Sequence, residues 1–96
     1  MLIYVDIDGT ICKDSFGIYD EAEPIMENIE KINKLYDSGH TIVYWTARGA
    51  VSGIDWTDVT AAQLSDWKAK YHELIMNDKP HYDLLICDKT KRIEEI

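Results

Sequence analysis

The sequence predicts an α/β fold on a minimal parallel sheet, and three observations predict it. Short apolar runs alternate with longer amphipathic segments, in the order strand, helix, strand, helix, strand. The runs stop at residues able to do chemistry: Asp6 and Asp8 after the first, Thr46 after the second, Asp88 after the third. The 96 residues suffice for one small domain, 1–96, with no room for a large cap domain above it. Such alternation implies right-handed crossovers, and open parallel sheets bind ligands at the carboxyl ends of their strands.

Each element follows from its residues. Leu2 to Val5, extended by Ile7, is a continuous apolar run and reads as a buried strand. Gly9 and Thr10 open a loop, and residues 11–20, with Phe16, Gly17 and Tyr19, read as a loop or small hairpin flap. Ile25, Ile29, Ile32 and Tyr36 recur at helical spacing and predict a helix from about Glu21 to Ser38, with Glu21 and Glu23 in its first turn, Pro24 tolerated there and Gly39 at C′. Thr41 to Trp45 is β-branched and aromatic, hence a second strand. Residues 49–58 are irregular. A second helix is expected from near Thr60, with Gln63 completing a capping box, Leu64, Trp67, Tyr71, Leu74 and Ile75 on the buried stripe, and Asn77 and Pro80 ending it. Leu84 to Cys87 is the third strand, and the charged tail from Lys89 to Ile96 starts a last helix.

Composition narrows the function. Apolar residues make up 46% and charged residues 29%, the balance of a globular chain. Ten Lys and Arg against eighteen Asp and Glu leave a net charge of −8, which opposes nonspecific binding to nucleic acid or to an anionic membrane. No apolar run approaches the roughly 20 residues that cross a bilayer. The start lacks the basic, then apolar, pattern of a secretory signal. Cys12 and Cys87 make neither a disulfide framework nor a zinc pattern. A cytoplasmic setting is expected.

The chemistry begins at Asp6-Ile7-Asp8-Gly9-Thr10. Two carboxylates follow a buried strand, and Gly9 lets the chain turn so that both aim at one point. Carboxylates so close repel unless a cation sits between them, and Mg²⁺ prefers oxygen ligands. Asp88, ending a neighbouring strand, adds a third acid. Thr46 offers a hydroxyl, and Lys79 a point charge suited to phosphate.

This first motif resembles the Asp-x-Asp-Gly-Thr signature of the haloacid dehalogenase-like hydrolase superfamily. Thr46, Lys79 and Asp88 match the second, third and fourth motifs by order and strand context. The resemblance implies a Rossmann-like three-layer sandwich and a small capless, Mg²⁺-dependent phosphatase that hydrolyses a phosphomonoester. By that resemblance Asp6 is the nucleophile that forms an aspartyl-phosphate, and Asp8 is the acid and then the base. Asp6, the Asp8 backbone carbonyl and Asp88 hold the metal, and Thr46 and Lys79 bind the phosphoryl oxygens. Arg48 joins the candidate phosphate ligands, reaching a phosphate or a carboxylate, or else lies at the surface. The substrate is small or polymer-linked, and a sugar phosphate or a polysaccharide-related ester suits a capless member. Exposed sheet edges favour a homo-oligomer.

A second reading makes the chain a catalytically weak or inactive relative that binds a phosphorylated ligand or a partner protein. It rests on Cys87 standing before Asp88, where the family often carries another acid. Phe16 and Tyr19 either cover the site or anchor the flap. Tyr44 and Trp45 read as sheet packing, and Trp56 as either packing or substrate contact. Cys12 is not expected to be a nucleophile. His40, His72 and His81 read as surface residues, with His81 nearest the site.

Overall fold

Leu2–Asp6 forms β1, and its three central residues are buried from both sides, as a central parallel strand requires. The computed structural model describes residues 1–13, 15, 18–48, 53–76 and 84–86. Within them Thr41–Thr46 is β2, Glu73–Met76 is β3 and Leu84–Ile86 is β4. The sheet is all-parallel, with strand order β3-β2-β1-β4, and Asp6 sits opposite Trp45 while Val5 sits opposite both Tyr44 and Ile86. The carboxyl ends of β1, β2 and β4 therefore lie at one end of the sheet.

The helices are α1, Met26–Asp37, and α2, Thr57–Asp66. Ile29, Ile32 and Leu64 join Ile3, Val5, Ile42, Tyr44 and Ile86 in one core, so both helices cover the same sheet face. Tyr4 and Val43 on the other face pack with Leu2, Trp45 and Ile75. The last helix expected from the tail lies outside the described residues. Among them, no helix is long and apolar enough to cross a membrane.

Three expectations need correction. The first helix starts at Met26, not near Glu21. Residues 22–25 are held elsewhere: the Lys13 N–H donates to the Glu23 carbonyl at 2.9 Å, and the Ile25 N–H to the Ile11 carbonyl at 2.8 Å. Residues 11–13 and 23–25 thus form a small antiparallel base under the flap, whose tip carries a single 3-10 turn at Tyr19–Glu21. Those amide protons are unavailable to a helical ladder, which begins one turn later.

Second, α2 begins at Thr57 and ends at Asp66, ten residues in all, and third, the residues expected to prolong it fold back as β3, a fourth strand. The stop is a Schellman motif. Lys68 takes the left-handed conformation (φ 57°), its N–H donates to the Ser65 carbonyl, and the Ala69 N–H donates to the Leu64 carbonyl. The Gly39 end of α1 is built the same way, from Gly39 to Tyr36 and from His40 to Leu35. Asn33 on α1 then clasps the turn, donating to the Lys68 carbonyl at 3.0 Å and accepting from the Lys70 N–H at 2.8 Å. Leu74 and Ile75 are half-buried against β2 as strand residues, not on a helical stripe.

Lysine at a left-handed position carries a Cβ penalty that glycine escapes. Lys68→Gly is expected to stabilise the chain by about 0.5–1 kcal/mol in urea denaturation, net of the extra freedom glycine adds to the unfolded state. A loss of stability would contradict the assigned turn.

Candidate active site

The site grows from the place where β1 runs out of partners. The Ile7 N–H still donates to the Trp45 carbonyl at 3.2 Å, and Ile7 is fully buried. One residue on, the chain turns. Thr10 and Ile11 both donate to the Ile7 carbonyl, Gly9 donates to the Cys12 carbonyl, and Gly9 adopts φ 83°, which a glycine takes without strain. Asp6 and Asp8 flank buried Ile7 and both reach one open cleft of about 250 Å³, together with Tyr19, Trp45, Ala47 and Arg48.

Asp8 is held from several sides. Arg48 Nη2 donates to Asp8 Oδ1 at 2.9 Å and Arg48 Nε to Oδ2 at 3.0 Å, a two-point ion pair. The Thr46 hydroxyl approaches Oδ2 at 3.4 Å, and the Cys12 thiol approaches Oδ1 at 3.5 Å. Thr46 Oγ1 also accepts the Arg48 N–H at 3.2 Å, which fixes the turn after β2. Arg48 is 1% exposed. Its remaining nitrogen, Nη1, donates to Thr60 Oγ1 at 3.0 Å and Gln63 Oε1 at 2.6 Å.

Thr60 and Gln63 are therefore no capping box. They stand three apart on one face of α2 and serve Arg48 instead of their own backbone. The helix start is marked by Asp55, whose carboxylate accepts the Thr57 N–H at 2.9 Å; hydrogen bonding from the Thr57 side chain, and then from this N–H, holds its carboxyl below the ordinary range.

The flap is tied into the same network. The Gln63 amide donates to the Tyr19 carbonyl, the Tyr19 ring lies 4.9 Å from the Arg48 guanidinium carbon, and Trp56 meets that ring edge-on at 5.1 Å. Tyr19 both anchors the flap and walls the cleft, and Trp45 lines the cleft as well as packing on the sheet.

The structure thus brings together Asp6, Asp8, Thr46 and Arg48. Arg48 is buried, not a surface residue; it lines the cleft and pairs with the carboxylate of Asp8. Lys79 and Asp88 lie outside the described residues, as do Phe16 and His81. Among the described residues no three acidic, His or Cys side chains form a metal cluster. The donors present suit a hard cation in part: Asp6 and Asp8 both line the cleft, and Asp8 has both of its carboxylate oxygens on Arg48. Thr60 and Gln63 were missed in the sequence as partners of the site. Their only signal was a polar pair at helical spacing on an otherwise core-facing element.

No protein-family model and no curated protein matches the sequence. Solved structures do. A structural-genomics target protein from Vibrio cholerae matches 83% of the chain and 72% of its own length, with TM-score 0.73 and 22% identity. A chain of the Pnkp1/Rnl/Hen1 RNA repair complex matches 98% of this chain over 38% of its own, with TM-score 0.69 and 15% identity. The D,D-heptose 1,7-bisphosphate phosphatase from B. bronchiseptica, complexed with magnesium and phosphate, matches 83% of the chain over 52% of its own, with TM-score 0.58 and 22% identity. The chain thus spans well under two thirds of the latter two. At these identities the likeness is one of fold.

Cys12 supplies a test of the site's packing. Burial, then the charge of Asp8, pushes its thiol up to about 12. The thiol stays protonated at neutral pH, so iodoacetamide mapped by mass spectrometry is expected to spare Cys12 in the native chain and label it in urea. The same shift lowers stability as pH climbs past 9.0, because the unfolded thiol ionises before the folded one. Rapid native labelling of Cys12 would refute the packing.

Proposed function

We propose that this chain, which has a haloacid dehalogenase-like fold, is a Mg²⁺-dependent phosphatase acting on a phosphomonoester. One observation carries the reading. Two carboxylates one residue apart line a single cleft at the carboxyl end of a parallel sheet, and Asp8 is paired there with a buried arginine. The arrangement suits two roles.

Asp6 attacks. Its carboxylate oxygen bonds to phosphorus, and the ester P–O bond breaks with its electron pair on the departing oxygen. Asp8 gives that oxygen its proton. Asp8, now a carboxylate, takes a proton from water, the water oxygen bonds to phosphorus, and the acyl-phosphate bond breaks to return Asp6. The balance is ester plus water to alcohol plus phosphate. Mg²⁺ supplies charge neutralisation when an anionic phosphate meets an anionic nucleophile. The Asp6 carboxylate, the Asp8 main-chain carbonyl and Asp88 would hold it, with Lys79 and Thr46 for the phosphoryl oxygens. The heptose bisphosphate phosphatase with bound magnesium and phosphate supports this choice of metal.

The open cleft with Tyr19 and Trp45 as walls accommodates a sugar phosphate or a phosphorylated polymer end. Steady-state assays on 4-nitrophenyl phosphate and a panel of sugar phosphates test the reading. Turnover is expected with Mg²⁺, is lost in EDTA, and falls by about 10³-fold or more in Asp6→Asn, with the circular dichroism unchanged. Activity that survives in EDTA or in Asp6→Asn contradicts it. Phosphate binding without turnover in the wild-type chain would establish the rival role of a noncatalytic phosphate-binding protein.

A further inference from the structure

A buried guanidinium is tolerated only where its donors are met. Arg48 meets that condition with all five N–H groups, on Asp8, Cys12, Thr60 and Gln63. The arrangement has a direction. Thr60 and Gln63 sit on a helix, so they fix the guanidinium from behind, and Tyr19 lies over it. The guanidinium then presents Nε and Nη2 as a fork to Asp8. An aspartate on a turn can otherwise rotate about both of its side-chain bonds; this one cannot without breaking a two-point ion pair.

We propose that Arg48 is a positioning residue, which holds the Asp8 carboxyl in the orientation that delivers its proton to the departing oxygen. This rests on the phosphatase reading above. In the step concerned, the Asp6 oxygen bonds to phosphorus, the ester P–O bond breaks, and the proton leaves Asp8 for the oxygen that carries the electron pair. The two contacts, Nη2 to Oδ1 and Nε to Oδ2, fix the carboxyl plane, so the group is aligned before the step begins. Lysine keeps the charge but lacks the fork.

Leaving groups separate this role from phosphate binding. The phosphoryl group is common to all esters, so loss of a phosphate ligand lowers kcat/KM alike for every one. Loss of an aligned acid acts on esters that need the proton. In Arg48→Lys, kcat/KM is expected to fall about tenfold more for glycerol phosphate, a poor leaving group, than for 4-nitrophenyl phosphate, a good one. Gln63→Met keeps Arg48 and removes one of its holders, so it serves if the first variant fails to fold. It is expected to show the same split at about threefold. Equal losses on both esters, or no loss, overturn the positioning role while leaving the phosphatase reading intact. Absence of turnover by the wild-type chain on either ester overturns both.

Discussion

The buried ion pair between Arg48 and Asp8 organises this molecule. A cation with no exposure must find a counter-charge and an acceptor for each N–H, and removing one partner of such a pair typically costs about 3–5 kcal/mol. Satisfying Arg48 draws together four parts of the chain: the turn after β1, the turn after β2, the Thr60/Gln63 face of α2 and the flap at Tyr19. The two crossovers place those parts at the same end of the sheet, and the pair locks them there. The cleft is what remains open between them.

The same pair makes two like residues unlike. Asp6 and Asp8 have the same chemistry and nearly the same place in the sequence. Asp8 is held by nitrogen and hydroxyl donors and a thiol, whereas the cleft takes Asp6 as one of its walls. Both acids line the cleft, and the buried Arg48 holds the Asp8 carboxyl still. The likeness to proteins as different as an RNA repair complex and a heptose bisphosphate phosphatase is one of fold, and a fold alone does not fix a ligand.

Much of the architecture was legible. Continuous apolar runs marked β1, β2 and β4, because buried parallel strands need no polar face, and Gly39 announced the end of α1. The pairing of two acids with a glycine marked the site. What was hidden had physical causes. The end of α2 is a Schellman turn with lysine in the place where glycine gives the signal, so the helical pattern seemed to run on through Leu74 and β3 went unseen. The start of α1 was obscured because residues 23–25 pair with residues 11–13, the Lys13 N–H donating to Glu23 and the Ile25 N–H to Ile11, a pairing no local pattern encodes. Thr60 and Gln63 mimic a capping box at their spacing, and only the arrival of Arg48 from another strand end shows their purpose. For Arg48 itself, the sequence left phosphate, carboxylate and solvent open; burial removes solvent, and the structure pairs the guanidinium with the carboxylate of Asp8.

The division of labour between the two acids is the core of the account, and chemical trapping tests it most directly. The wild-type chain is quenched during turnover and treated with borohydride, which reduces an acyl phosphate to an alcohol. Mass spectrometry then locates the homoserine so formed. The account predicts it at Asp6, with Asp8 unmodified. Homoserine at Asp8, or turnover with none at either position, would contradict it.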